Sequence, residues 1–482
     1  MFGHRRLARG FSKLNQSKNK ASFHPENKSG FDQERQMRYW QNRLGQTLCL
    51  LVCCLNSTAI AATTGATTPA RPSLKVVDEA AAKFVDKNKD LENMFRSGIT
   101  NAVQKQSFEE PDGTIYVQTG DIPAEWLRDS SAQVRPYLFF ADSDEKVRDY
   151  LRRVIARQAA YVLSDPYANA FKENNEVWEQ KYELDSLCYP LILAWTYWKV
   201  TGDQAIFTSK FNDAMKVAVD TMILEQDHEK NSKYYHKEFD GKAKSLEVTN
   251  CGMVWSGFRP SDDCCFYHFL IPSEMMAVVA LRGLEQIERK IYKDDVFAAK
   301  IANLKSQIDD GIRKFGVVKD KDFGEVFAYE VDAKGNYTLM DDANIPSLLS
   351  APYLGYVSAS DPVYQNTRKL LLSKKNKNFA SGSLATGIGS EHTPAGYIWP
   401  LAMVMQGLTS DDKDEIQTVM RQVLASDPGD HLLHESFNPN KATEFTRPDF
   451  GWPNALFAEF VMLKMQNKKA LPVPAAVAEN SK

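Results

Sequence analysis

The sequence predicts an all-α fold: an (α/α)6 barrel, a toroid in which six helical hairpins close into a ring, with a few short β-hairpins in the loops. Three observations predict it. Apolar residues recur at helical spacing over most of residues 76–468, and strand-like stretches are few. Every second helix follows a long segment rich in Trp, Tyr, Asp, Glu and Arg. The other connections are short and plain, such as VTGD at 200–203 and LTSDD at 408–412. Long loops of that chemistry usually exist for function, and six of them on alternate helices imply one common end of a closed ring. An open solenoid is the competing arrangement, but no repeat of fixed period is visible.

The chain begins with a different kind of segment. Residues 1–47 carry ten Lys/Arg against three Asp/Glu, a surplus of +7 that leaves −10 on the remainder of a chain with net charge −3. The apolar run Leu48–Leu55 (LCLLVCCL) follows. It is far shorter than the roughly 20 residues a membrane span needs. With Arg38 and Arg43 before it and Ala59-Ile60-Ala61 after it, the run resembles the h-region of a secretory signal. Residues 1–61 are therefore expected to be an N-terminal extension and signal peptide, the signal itself being Met37–Ala61, with a secreted or periplasmic destination. No stable membrane insertion is expected after cleavage; an uncleaved membrane anchor is the alternative. The Ala/Thr/Pro-rich stretch 62–75 reads as a linker, residues 76–468 as one catalytic domain, and 469–482 as a flexible tail.

Across that domain the predicted helices cover about 76–104, 128–140, 144–163, 184–201, 203–226 and 272–288, then 291–315, 342–350, 361–373, 396–408, 411–425 and 452–467. Strand-like stretches are 114–120, a hairpin around 232–254, and 327–340, where Lys334-Gly335-Asn336 supplies a turn. The composition, 43% hydrophobic and 25% charged, supports a large core and excludes a disordered chain. No strong overall charge points to nucleic acid, and no nucleic-acid partner is expected. Four cysteines remain in the body, Cys188, Cys251, Cys264 and Cys265, too few for a disulfide scaffold. Vicinal Cys264-Cys265 reads as structural.

The loops suit a sugar. Trp and Tyr faces pack on the apolar faces of pyranose rings, while Asp, Glu, Arg and His bond the hydroxyls. Trp126, Trp178, Tyr182, Trp255, Tyr397, Trp399 and Trp452 are the aromatic residues available. Other catalytic plans are missing: there is no HExxH, GxSxG or GxxxxGK[ST] motif, and Gly387-Ile388-Gly389 lacks the strand and third glycine of a dinucleotide site. His431 and His434 make only a weak metal signal. Carboxylate chemistry remains, with Glu179, Glu183 and Asp185 competing for one role in the second decorated loop, where any of them could equally cap a helix.

The segments GDIPAEWLRDSSAQVRPYL (120–138), YELDSLCY (182–189), SGFRPSDD (256–263), DDANIPSLL (341–349), GSEHTPAGYIWP (389–400), HESF and FGWPNALFAEF closely resemble glycoside hydrolase family 125. The resemblance runs in matching order from about residue 75 to 467. Its members are metal-independent exo-α-1,6-mannosidases on an (α/α)6 barrel that invert the anomeric centre. The resemblance thus implies no metal, no cofactor, and a mannose-containing oligosaccharide or N-glycan as substrate. It maps the general acid onto Asp185 and the general base onto Glu391. It also implies Trp126, Arg128 and Asp129 around the terminal sugar, with Arg259, Asp262, Asp342, His392, Glu435 and Arg447 as further contacts. Inversion requires two carboxyls about 6.5–9.5 Å apart, with a water between one of them and the anomeric carbon. A glycosidase or phosphorylase of different linkage on the same scaffold, and a glycan-binding protein, are the alternatives. A phosphorylase needs a basic anion site beside the base, and near Glu391 the sequence offers only His392.

Overall fold

Helices buried on nearly every side alternate with helices buried on one apolar face, and this alternation builds the ring. The structure, a computed structural model, describes residues 71–240 and 250–474. Its first helices are α1 (Lys75–Lys83), α2 (Lys89–Asn101), α3 (Leu127–Val134), α4 (Glu145–Ser164), α5 (Leu184–Thr201), α6 (Ser209–Glu225) and α7 (Ile271–Ile287). They continue as α8 (Asp295–Gly311), α9 (Ala351–Leu354), α10 (Pro362–Leu371), α11 (Pro400–Leu408), α12 (Lys413–Ala425) and α13 (Gly451–Lys464).

The even-numbered helices form the outer layer. In α4, Asp144 caps the amides of Lys146 (2.8 Å) and Val147 (3.1 Å), and Val147, Tyr150, Leu151, Val154 and Ile155 form the buried stripe. The inner helices are covered from both sides, and α3 buries even Arg128, Asp129, Ser130, Ser131 and Gln133. Almost every side chain of α7 is buried, as are those of α13 up to Met462. Neighbouring inner helices touch in the order α3, α5, α7, α9, and α11 packs on α13, which returns to α3. The first outer helix, α2, packs against the last inner one, α13, so the two ends of the domain meet.

The ring has a packed axis. Tyr189, Ile192, Met276, Tyr353, Trp452 and Val473 line an enclosed void of only about 40 Å³. Its base is stoppered by Leu471–Pro474. The Pro474 carbonyl accepts from Arg282 Nη1 (2.7 Å), and the Val473 side chain lies against Gly355. These residues were expected in a flexible tail; their apolar side chains instead complete the core. Two further expectations differ. The predicted 76–104 helix breaks at residues 84–88, where Asn88 caps α2 by accepting from the amides of Asp90 (3.0 Å) and Leu91 (3.3 Å). The predicted 342–350 helix is irregular chain wrapped around the buried Asp341 carboxylate, which accepts from the amides of Leu348 (2.9 Å) and Leu349 (3.0 Å). Only the single turn α9 follows it.

Small antiparallel sheets stiffen the loops at the opposite end. They include β1 (Ser107–Glu109) with β2 (Ile115–Val117), and β3 (Glu125–Trp126), β4 (Ala170–Phe171) and β5 (Val177–Glu179) in that order. The expected 327–340 hairpin is present as Glu330–Val331 paired with Tyr337–Thr338. Part of the expected 232–254 hairpin, residues 241–249, lies outside the described residues, as does the leader with Leu48–Leu55 and Met37–Ala61. Among the described residues no disulfide forms, and Cys264 donates to the Glu238 carbonyl.

Candidate active site

All six decorated loops precede inner helices, so the N-terminal ends of α3, α5, α7, α9, α11 and α13 face one cup. Those ends carry the positive poles of the helix dipoles, which favour carboxylates there. Asp129 sits in the first turn of α3 and Asp185 in the first turn of α5.

Arg128 organises the floor. Its Nη1 donates to Glu183 Oε2 (2.6 Å) and reaches Asp185 Oδ2 (3.4 Å); its Nη2 donates to Asp262 Oδ1 (3.0 Å), and its Nε lies 3.3 Å from Asp129 Oδ2. The guanidinium also lies over the Trp452 ring. One cation therefore faces four carboxylates in a nearly dry place, which forces some of them to keep a proton. Burial pushes Asp129 and Asp185 each up to about 6 despite Arg128. Glu183 rises well above the carboxylate range through burial and the charges of Asp262 and Asp185. Asp262 falls to about 2: burial opposes ionisation, but Arg128, a hydrogen bond from Glu183, Lys181 and His392 outweigh it. The two shifts run in opposite directions, Glu183 toward its protonated form and Asp262 toward its ionised form.

Access separates these acids. Asp185 exposes 0% of its surface, sealed beneath Arg128 and 3.5 Å from Ser273 Oγ. A general acid must touch the glycosidic oxygen, and Asp185 cannot do so from there. The Asp262 side chain is 21% exposed. It sits in the tight Arg259–Asp263 turn at φ 63°, a left-handed position that aspartate tolerates better than most residues. Its carbonyl is held by Lys181 Nζ at 2.9 Å.

Glu391 lies on the rim. Its side chain is 43% exposed, and it accepts from Lys377 Nζ (2.7 Å) and Arg259 Nη1 (3.0 Å). Those two cations keep its carboxyl below the usual range although burial opposes ionisation. It lines a recess of about 490 Å³ with Arg259, Asp263, Thr338 and Lys377. Gly389, two residues earlier, must be glycine: a Cβ there would stand 2.1 Å from the Tyr397 carbonyl oxygen.

Several expected contacts are present at the cup. His392 Nδ1 faces Asp263 (3.5 Å); burial disfavours its charge, but Asp263, Glu435 and Asp262 raise it to about 9. Glu435 is largely buried with Arg447 Nη1 at 3.8 Å, and among the described residues its carboxylate accepts no hydrogen bond. Arg447 is itself held by Asp121 (2.9 Å) and the Thr119 carbonyl (2.9 Å). Gly120, where a Cβ would meet the Asp449 carbonyl at 2.1 Å, lets these loops close on each other.

Two expected ligands have other work. Asp342 is buried and accepts from Ser390 Oγ (2.6 Å) and from the Asn344 amide and side chain, so it ties the loop before α9 to the Glu391 loop. Trp126 is buried among Ile122, Ala124 and Ala170. His431 and His434 pair with Asp427 (3.1 Å) and Asp430 (3.3 Å). Glu330 was not foreseen: it anchors Arg259 Nε (2.6 Å) and accepts from the amides of Phe266 and Tyr267. Lys377 was also missed, since its Lys-Lys-Asn-Lys-Asn surroundings read as a solvated surface.

Residues 86–462 match the family of metal-independent α-mannosidases, glycoside hydrolase family 125. The chain is 36% identical over 423 residues to the meiotically up-regulated gene 157 protein of Schizosaccharomyces pombe, covering 79% of this chain and 82% of that protein. Among solved structures it is similar to a Streptococcus pneumoniae metal-independent α-mannosidase in a non-productive complex with α-1,6-mannobiose. That similarity has a TM-score of 0.77 and 39% identity, over 82% of this chain and 98% of the other. The glucoamylase of Saccharomycopsis fibuligera shares only the fold, with a TM-score of 0.55 and 12% identity over 79% of this chain and 96% of that one. A ring of inner and outer helices, a cup of carboxylates at its loop end and this match over most of the chain lead to one conclusion: the chain belongs to glycoside hydrolase family 125, the metal-independent α-mannosidases.

Proposed function

We propose that the protein is an exo-acting, inverting α-mannosidase that releases terminal α-1,6-linked mannose from mannose-containing oligosaccharides. The α-1,6-mannobiose bound by the S. pneumoniae relative supports the linkage. A closed floor supports exo action: the void below Trp452 is about 40 Å³, so a chain end can enter the cup but a chain cannot thread through.

We assign the acid to Asp262 in place of Asp185. The observation that carries this is access: of the carboxylates around Arg128, Asp262 is the one with an appreciably open side chain. The proton comes from Glu183. A sugar entering the cup removes water from Asp262, which favours protonation of Asp262; the Glu183 proton passes to it and on to the departing glycosidic oxygen. Glu183 is left ionised against Arg128 Nη1 at 2.6 Å. Asp185 and Asp129 hold Arg128 in place.

The base is Glu435. It has free lone pairs to orient a water, and its charge acts on the same His392 as that of Asp262. A second reading keeps the base at Glu391, favoured by its ionised, exposed carboxylate. Two variants decide between them. Glu435→Gln is expected to lower kcat on α-1,6-mannobiose by about 10²–10⁴-fold, whereas Glu391→Gln mainly raises KM. The opposite pattern returns the base to Glu391. Proton NMR of the first-formed mannose tests inversion, and a retained anomer refutes a water-spaced pair.

A further inference from the structure

We propose that the groove beside Trp178 is a second carbohydrate-binding site, which takes a neutral mannose-containing branch of the substrate lying outside the cup. The proposal rests on the mannosidase reading for the identity of the sugar, and on the groove itself for the binding.

Trp178 lies at the centre of β5, an edge strand, and remains 44% exposed. Its two neighbours along the groove are turns. One is Pro111–Thr114, where Asp112 Oδ1 accepts from the Thr114 amide (2.9 Å) and hydroxyl (2.6 Å). The other is Lys172–Glu176, closed by hydrogen bonds from Lys172 N to Glu176 O (2.8 Å) and from Asn175 N to Lys172 O (3.0 Å). Both turns are fixed to one buried cation. Arg157, 1% exposed, donates to Thr114 Oγ1 (3.0 Å) and to the Glu173 carbonyl, and packs over the rings of Tyr116 and Tyr161. The groove is therefore built before any ligand arrives. Its volume, about 740 Å³, falls within the range of small-molecule sites.

The side chains along the groove suit a sugar. An exposed indole face flanked by the side chains of Asp112, Asn174 and Asn175 supplies the stacking surface and the hydrogen-bonding groups a pyranose needs. Glu110, beside them, keeps its side chain 9% exposed with one oxygen 4.0 Å from Arg157. The excess of acidic groups here disfavours an anionic ligand.

The groove is one strand away from the cup. Glu179, the next residue on β5, turns to the opposite side and accepts from Asn169 Nδ2 (3.0 Å), which also approaches Glu183 (3.4 Å) and Asp262 (3.5 Å). A branched glycan with one arm in the cup can lay another over β5 onto Trp178.

Binding is tested without turnover, in the Asp262→Asn background, by titrating a branched high-mannose oligosaccharide and, separately, α-1,6-mannobiose. Adding Trp178→Ala is expected to weaken the branched ligand about tenfold and mannobiose less than about twofold, with Trp178→Phe near the parent. Equal weakening of both ligands, or of neither, overturns the second site. Cleavage of mannobiose by the otherwise unaltered enzyme is scored separately: its absence counts against the mannosidase reading, while the binding difference still judges the groove.

Discussion

Asp262→Asn is the sharpest test of the cup. The substitution is nearly isosteric and keeps an oxygen for Arg128 Nη2, now 3.0 Å from Asp262 Oδ1, while Asp185 and Asp129 still lie beside the guanidinium. Folding should survive, since the change relieves repulsion among four carboxylates around one cation. An amide cannot pass the Glu183 proton to a leaving oxygen. Loss of a general acid costs about 10²–10⁴-fold, or about 2.7–5.4 kcal/mol of barrier, on α-1,6-mannobiose. An aryl mannoside whose phenolate leaves unaided needs no proton, so its loss should stay within about tenfold, or 1.4 kcal/mol. Steady-state kcat/KM on both substrates, with a thermal melt to verify the fold, gives the ratio. Activity of Asp262→Asn on mannobiose within about tenfold of the unaltered enzyme, or an equal loss on both substrates, would refute the assignment. Asp185→Asn gives the contrast: a loss that does not depend on the leaving group, because Asp185 acts only through Arg128.

Glu183→Gln should pull the basic limb of the kcat/KM profile downward by at least about one pH unit. Burial holds the Glu183 proton well above the usual carboxylate range, and without it Arg128 and Lys181 keep Asp262 ionised; an unmoved limb would remove Glu183 from the proton path. Arg128→Met should destabilise the fold by about 3–5 kcal/mol at neutral pH, because it strands buried carboxylates. The deficit should shrink as pH falls toward about 6, because Asp129 and Asp185, raised to about 6 with Arg128 present, take up protons at higher pH once it is gone; denaturant melts across pH test this sign. If Met37–Ala61 acts as a cleaved signal, N-terminal sequencing of the mature protein finds the chain starting at Ala62; a membrane-bound, uncleaved product favours the anchor.

The loop end of the ring was legible because decorated segments recur before alternate helices, and a closed ring has one place to put them. That reasoning brought Arg128, Asp129, Asp185 and Asp262 together before any coordinates. It could not rank them. Tyr182 to Asp185 sits where extended chain becomes helix, so Glu183 and Asp185 turn in directions that sequence does not specify, and burial chose Asp262 for access. Glu330 and Lys377 escaped because an ion pair across loops leaves no trace in spacing. The 342–350 segment misled for a different reason: its apolar residues do face the core, but Asp341 binds backbone amides that a helix would have used for itself. Leu471–Pro474 looked like linker composition, yet four apolar side chains suffice to seal a small opening.

The pairing of α2 with α13, completed by the stopper at residues 471–474, makes the domain a bracelet whose clasp is at its two ends. During synthesis α2 and α3 are finished long before α13 exists, so the faces they present to it wait uncovered until almost the whole chain has left the ribosome. Helper proteins that shelter such surfaces should matter more here than in a protein of equal size built from consecutive layers, and truncation by even a dozen residues at the far end should send the product to proteolysis instead of leaving a weakened enzyme.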